Sequence, residues 1–135
     1  MKASTLSFPA AVLFVIAGMT WGIIMAVSQD HSAMPAHAHL NLLGWVSLFL
    51  MGLFYHLHPE IDRSRAAIAQ VWIWIAATAI LATGVGLIHS GRSSGDAIAA
   101  VGSFMALADM VFFGWLVLRG TRQVSIAVRS VVPAE

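Results

Sequence analysis

Four stretches of this chain are each long and apolar enough to cross a lipid bilayer, and few folds satisfy that constraint. A spanning helix needs about 20 apolar residues, and residues 8–27, 36–57, 66–88 and 97–118 each supply such a run. Inside a bilayer no water is present to satisfy exposed backbone groups, so an isolated apolar run of this length has to be helical. The predicted fold class is therefore all-α, a transmembrane four-helix bundle forming one domain over residues 1–135. Composition agrees: 59% of residues are hydrophobic and 10% charged, where a soluble domain carries about 25% charged residues. The breaks carry turn chemistry, with Pro35 suited to the first turn of the second helix, Pro59 after it, and Gly91 and Gly95 between the third and fourth. Lys2 ahead of the first segment resembles the start of a signal peptide. The apolar run is longer than the usual core of about 7–15 residues, and no clean small-x-small cleavage site precedes Asp30. The first segment is expected to stay as a membrane span.

Charge predicts orientation. With the N-terminus inside, the inner segments hold Lys2, Arg63, Arg65, Arg119, Arg122 and Arg129, and the outer side holds only Arg92. The positive-inside rule then gives an N-in, C-in, multi-pass protein, expected in a bacterial inner (plasma) membrane. A net charge of +1 leaves no basic patch for nucleic acid. The chain has no cysteine, which excludes disulfides, iron–sulfur clusters, thiolate zinc sites and covalent haem attachment.

Chemistry concentrates in His37-Ala38-His39, where the second apolar run begins. A lone interfacial histidine usually bonds water or lipid headgroups. A His-x-His opening a spanning helix, with His89 expected at the same level, points instead to cofactor ligation, since imidazole is a common ligand of haem and other metals. Residues i and i+2 lie about 200° apart around an α-helix. His37 and His39 are therefore expected to face opposite flanks and to serve two different cofactors. The His37 side is predicted to continue through Asn41, Gly44, Leu48 and Tyr55, and the His39 side through Leu43, Val46, Leu50 and Leu53. Asn41 is a candidate hydrogen-bond partner, and Gly44 leaves room for a flat ligand or a close helix contact. His56 and His58 belong to the opposite interface, since 19 residues separate His39 from His58, about 28 Å of helix.

Asp109 falls near the middle of the fourth segment, where no Lys or Arg of this chain shares its depth. An unpaired carboxylate there costs several kcal/mol. Asp109 is expected to be neutral or hydrogen-bonded, with Thr78, Thr20 or an indole N–H as partner. Its role is either a proton relay, a bond to a buried cofactor, or a structural bond between helices. The methionines form no MxxM or MxM cluster and read as packing rather than a copper site.

The segment Met34-Pro35-Ala36-His37-Ala38-His39-Leu40-Asn41 through Leu53-Phe54-Tyr55 resembles the second helix of the haem-copper oxidase catalytic subunit, which begins with a haem-ligating histidine near its outer end. His37-Ala38-His39 is also similar to the His-x-His of that subunit's tenth helix, whose two histidines bind different haems on opposite flanks. The likeness covers about 20–25 residues closely and the four-helix hydropathy pattern loosely. That subunit has twelve helices in three arcs of four, so the resemblance implies a twelve-helix homotrimer in which one short chain supplies every arc. It also places His89 where the larger family has copper-ligating histidines. The sixth-helix copper histidine with its cross-linked tyrosine, and the His-His pair, have no counterpart here.

The expected function is haem b binding with His37 and His39 as axial ligands. Bis-His ligation favours electron transfer, and a weakly held position would allow interaction with O2 or NO. A quinol or a cytochrome is the candidate electron donor. One alternative is an oxidoreductase, a minimal haem-copper-type oxidase or NO reductase with copper on His89. A second is a non-haem copper or zinc binding or assembly factor using His31, His37, His39 and His89. The remaining expected partners are the lipid bilayer and further copies of the chain.

Overall fold

A computed structural model describes the backbone of residues 1–131 and the side chains of residues 1–120. Its elements, in order, are α1 (Ala3–Ser28), α2 (Met34–His39), a π-helical segment (Leu40–Ser47), α3 (Leu48–Leu57), α4 (Pro59–Asp62), α5 (Arg65–His89) and α6 (Ser94–Val131). Helix α2, the π segment and α3 run continuously, so the chain makes four passes: Ala3–Ser28, Met34–Leu57, Arg65–His89 and Ser94–Gly120. All four are long and apolar enough to cross a membrane, and the protein is a multi-pass membrane protein. Large apolar side chains face outward along α1 (Leu13, Ile16, Ile23) and α6 (Phe104, Leu107, Val111), as lipid-facing surfaces require.

The helices begin earlier than hydropathy predicts, and at α1 and α5 polar capping extends them. Helix α1 starts at Ala3 rather than residue 8. The Lys2 N–H donates to Thr5 Oγ1 at 3.2 Å, and the Thr5 hydroxyl donates back to Lys2 O at 2.8 Å. From the short α4, Asp62 reaches the same helix end. Its Oδ1 accepts the Ser4 backbone N–H at 2.7 Å and its Oδ2 accepts the Ser4 hydroxyl at 2.9 Å. Both residues are buried, and a carboxylate suits the positive end of the helix dipole. Asp62→Ala strands two buried donors, each costing about 1–3 kcal/mol, and is expected to lower the thermal midpoint in detergent more than Ser4→Ala does. Ser64 caps α5 by accepting the Ala67 N–H at 3.1 Å, and Pro35 and Pro59 stand in the first turns of α2 and α4. The turn between α5 and α6 needs the positive φ of Gly91, +75°. In the loop after α1, the Ser32 N–H donates to Asp30 at 2.9 Å and holds that carboxyl below its usual range.

Glycine sets the distance between α5 and α6. A Cβ on Gly84 would run into the backbone of Ala99, one on Gly95 would stand 2.5 Å from Ile88 N, and one on Gly102 would stand 2.5 Å from Leu81 N. The two helices therefore run backbone against backbone, as small residues permit in membranes. Helix α1 packs on the second pass through side chains set over glycines: Phe14 lies over Gly44, and Ser7 and Phe8 lie over Gly52.

The π segment was not legible as such, since residues 36–57 read as one uniform helix. A π turn bonds i to i+5 and commonly marks functional sites. Here the Ser47 hydroxyl donates to Leu42 O at 3.0 Å and the Trp74 indole N–H donates to Leu43 O at 3.0 Å. Each π residue advances around the axis by less than the 100° of an α-helix, and the lower half of the pass is rotated as a result. Tyr55 does not share the His37 face, as a uniform helix would require. It faces α5 and α6, donating to Gln70 and lying edge-on to Phe113.

Candidate functional site

The first turn of the second pass holds both imidazoles, and they diverge. His37 faces α1. Its Nδ1–H donates to Gly18 O at 2.9 Å. The ring and the Asn41 side chain fill a notch made by two glycines one turn apart: a Cβ on Gly22 would stand 3.0 Å from His37 Cε1, and one on Gly18 would overlap the Asn41 amide. The Asn41 amide nitrogen donates to His37 O at 3.0 Å and lies 3.2 Å from His37 Nε2. Sequence reading did not single out Gly18 and Gly22; their one-turn spacing on an otherwise bulky apolar helix is the signal that marks them.

His39 faces the other way. Its Nδ1–H donates to Pro35 O at 2.7 Å. A carbonyl can only accept, so Nδ1 carries the proton and Nε2 keeps its lone pair, the arrangement typical of metal-bound imidazole. The ring lines a groove of about 360 Å³ between the second pass, α5 and α6, together with Leu42, Leu43, Leu81, Ser103 and Ala106. That lining is apolar apart from His39 and Ser103, and His39 is its one strong ligating side chain.

Gly44, expected to leave room for a ligand or a helix, has the Phe14 ring 2.6 Å from where its Cβ would stand. It serves helix contact. His89 is exposed and donates from Nδ1 to Val85 O at 2.8 Å, and His31 is exposed in the loop. Among the described residues no three of His, Cys, Asp and Glu come together as a metal-holding group. A set drawn from His31, His37, His39 and His89 is thus not assembled within one chain. At the far end His58 stacks on Phe54, 4.2 Å between centroids, and His56 lies edge-on to Phe8.

Asp109 is 2% exposed, and its partner is not one of those expected. Gln70 Nε2 donates to Asp109 Oδ2 at 2.6 Å, and the Tyr55 hydroxyl donates to Gln70 Oε1 at 2.6 Å. Thr20 instead bonds its own helix at Ile16 O, the Trp74 indole is engaged by Leu43 O, and Thr78 Oγ1 has no hydrogen-bond partner among the described residues. Gln70 reaches it from a fully buried position on α5. No protein family, curated protein or solved structure matches this chain.

Proposed function

We propose that the protein binds haem b in the membrane and transfers electrons, with His39 and His37 as the axial ligands. The observation that carries this reading is His39, whose Nε2 lone pair is set by the Pro35 bond and whose ring lines an apolar groove at the mouth of a spanning helix. About 360 Å³ lies at the low end of small-molecule sites, roughly 300–1,000 Å³, so the groove covers an edge of a macrocycle and the rest needs cover from outside the chain. His37 offers a second half-site on the opposite flank. Rotation of the Asn41 amide away from Nε2 frees that nitrogen to ligate, while Gly18 O keeps the ring oriented. Bound haem would supply a one-electron couple, and two imidazoles leave no open iron position.

Two half-sites facing opposite ways are completed by a closed ring, in which His37 of one copy and His39 of the next hold one haem. The resemblance to a twelve-helix oxidase subunit favours a trimer, placed N-in and C-in by its basic residues in a bacterial plasma membrane, with quinol or a cytochrome as donor. The test is the absorbance spectrum of detergent-purified protein with elemental analysis. A Soret band of the low-spin, six-coordinate type with one iron per chain is expected. Protein that is pigment-free from haem-replete cells and fails to take up haemin would refute the proposal, and copper or zinc without a Soret band would favour the non-haem reading. Native mass spectrometry is expected to find three chains with three haems; a monomer holding a haem between its own helices would defeat the ring.

A further inference from the structure

Tyr55, Gln70 and Asp109 are linked in the middle of an apolar bundle, and Thr78 lies on the same helix as Gln70; each is buried. Tyr55 donates to Gln70 Oε1, and the other end of that amide, Nε2, donates to Asp109 Oδ2. An amide in this position clamps and does not pass protons, because moving one through it would demand a change of tautomer. The clamp therefore assigns Asp109 Oδ2 as the acceptor and leaves Oδ1 as the oxygen available for protonation. Asp109 Oδ1 is buried and without a hydrogen-bond partner among the described residues, and so is Thr78 Oγ1 on the neighbouring helix.

The helix register sets these two atoms in order. Gly102 of α6 lies against Leu81 of α5. Counting seven residues along α6 to Asp109 and three back along α5 to Thr78 separates them by about one helical turn, with Thr78 nearer the His39 groove. Native interiors seldom leave such groups unsatisfied, and buried waters commonly serve them. The titratable group facing Asp109 from α3 is Tyr55, through Gln70. From α5 it meets Gln70, and no Lys, Arg or His pairs with it among the described residues.

We propose that Asp109 is a mid-membrane proton-exchange site, in which Oδ1 takes up and releases one proton and the Thr78 hydroxyl, through a buried water, is its first exchange partner toward the His39 end. In uptake an O–H bond forms at Oδ1 from a hydronium ion delivered along that route, which becomes water; release is the reverse. The cluster stands apart from both imidazoles, and this proposal does not rest on haem.

Infrared difference spectroscopy on the full-length protein in detergent, moved between H2O and D2O, tests it. A protonated-carboxyl C=O band is expected that shifts in D2O and is lost in Asp109→Asn. Thr78→Val should slow the shift severalfold. Thr20→Val, at an exposed hydroxyl bonded to its own helix, should leave the rate unchanged. Tyr55→Phe, which loosens the clamp, should move the band. If Asp109→Asn does not fold, carbon-13 aspartate labelling of the wild type identifies the carboxyl band, and its displacement by Tyr55→Phe assigns it. Absence of any such band across the pH range where the protein is folded would overturn the proposal, as would a band that never exchanges. Equal slowing by Thr78→Val and Thr20→Val would remove Thr78 from the route.

Discussion

His39→Ala is expected to abolish the haem absorbance, and His37→Ala to abolish it or weaken it sharply, while His56→Ala and His58→Ala leave it intact. The asymmetry follows from the surroundings of each ring. His39 presents a bare Nε2 to an apolar groove. His37 is held by Gly18 O and screened by Asn41. His58 is stacked on Phe54 with its Nδ1 on Phe54 O, at the other end of the pass. Asn41→Ala removes the screening amide and is expected to retain haem with a changed affinity, since outer partners of metal ligands commonly shift affinity by about 10–100-fold. Haem titration of the purified variants measures all five. Equal losses from the two ends of the helix would contradict a single-layer site.

Gly84→Ala is expected to destabilise the bundle by about 2 kcal/mol, although alanine is the better helix former by about 1 kcal/mol. The new methyl would meet Ala99 N, Ala99 Cα and Ile98 C, all backbone. No side chain can swing away, so α5 and α6 would have to part, and overpacking of this kind costs about 3 kcal/mol at the upper end of its usual range. Gly114→Ala is the matched control. Nothing lies within 4 Å of its would-be Cβ, so only the propensity gain remains and stability should rise slightly. Unfolding of both variants in mixed micelles decides it: if Gly84→Ala matched Gly114→Ala, close backbone packing would not be what holds α5 to α6.

Residues carried their local information plainly. The four passes were readable because apolar runs of membrane length have one way to satisfy their backbone; their ends were less so, since capping at Thr5 and Asp62 starts α1 at Ala3 and α6 continues from 118 to Val131. The divergence of His37 and His39 was readable too, because it depends on two positions in one α-helical turn. Asp109 stood out by cost alone, a carboxylate among Ala106, Leu107, Ala108 and Met110.

What the chain's order could not disclose were relations between helices. Gln70 reads as one polar residue near the start of an apolar segment. It becomes the partner of Asp109 only when the glycines of α5 and α6 bring those helices to backbone contact in a particular antiparallel register. Tyr55 was expected beneath His37 and lies elsewhere because the π segment, with Leu43 O held by Trp74 from another helix, turns the lower half of the pass. Hydropathy and helical period act within a segment, and from them sequence alone determined the all-helical membrane fold, its four passes and the opposed imidazoles. Register and π geometry arise from contacts between segments far apart in the chain, and only the tertiary structure decided which polar groups meet in the interior.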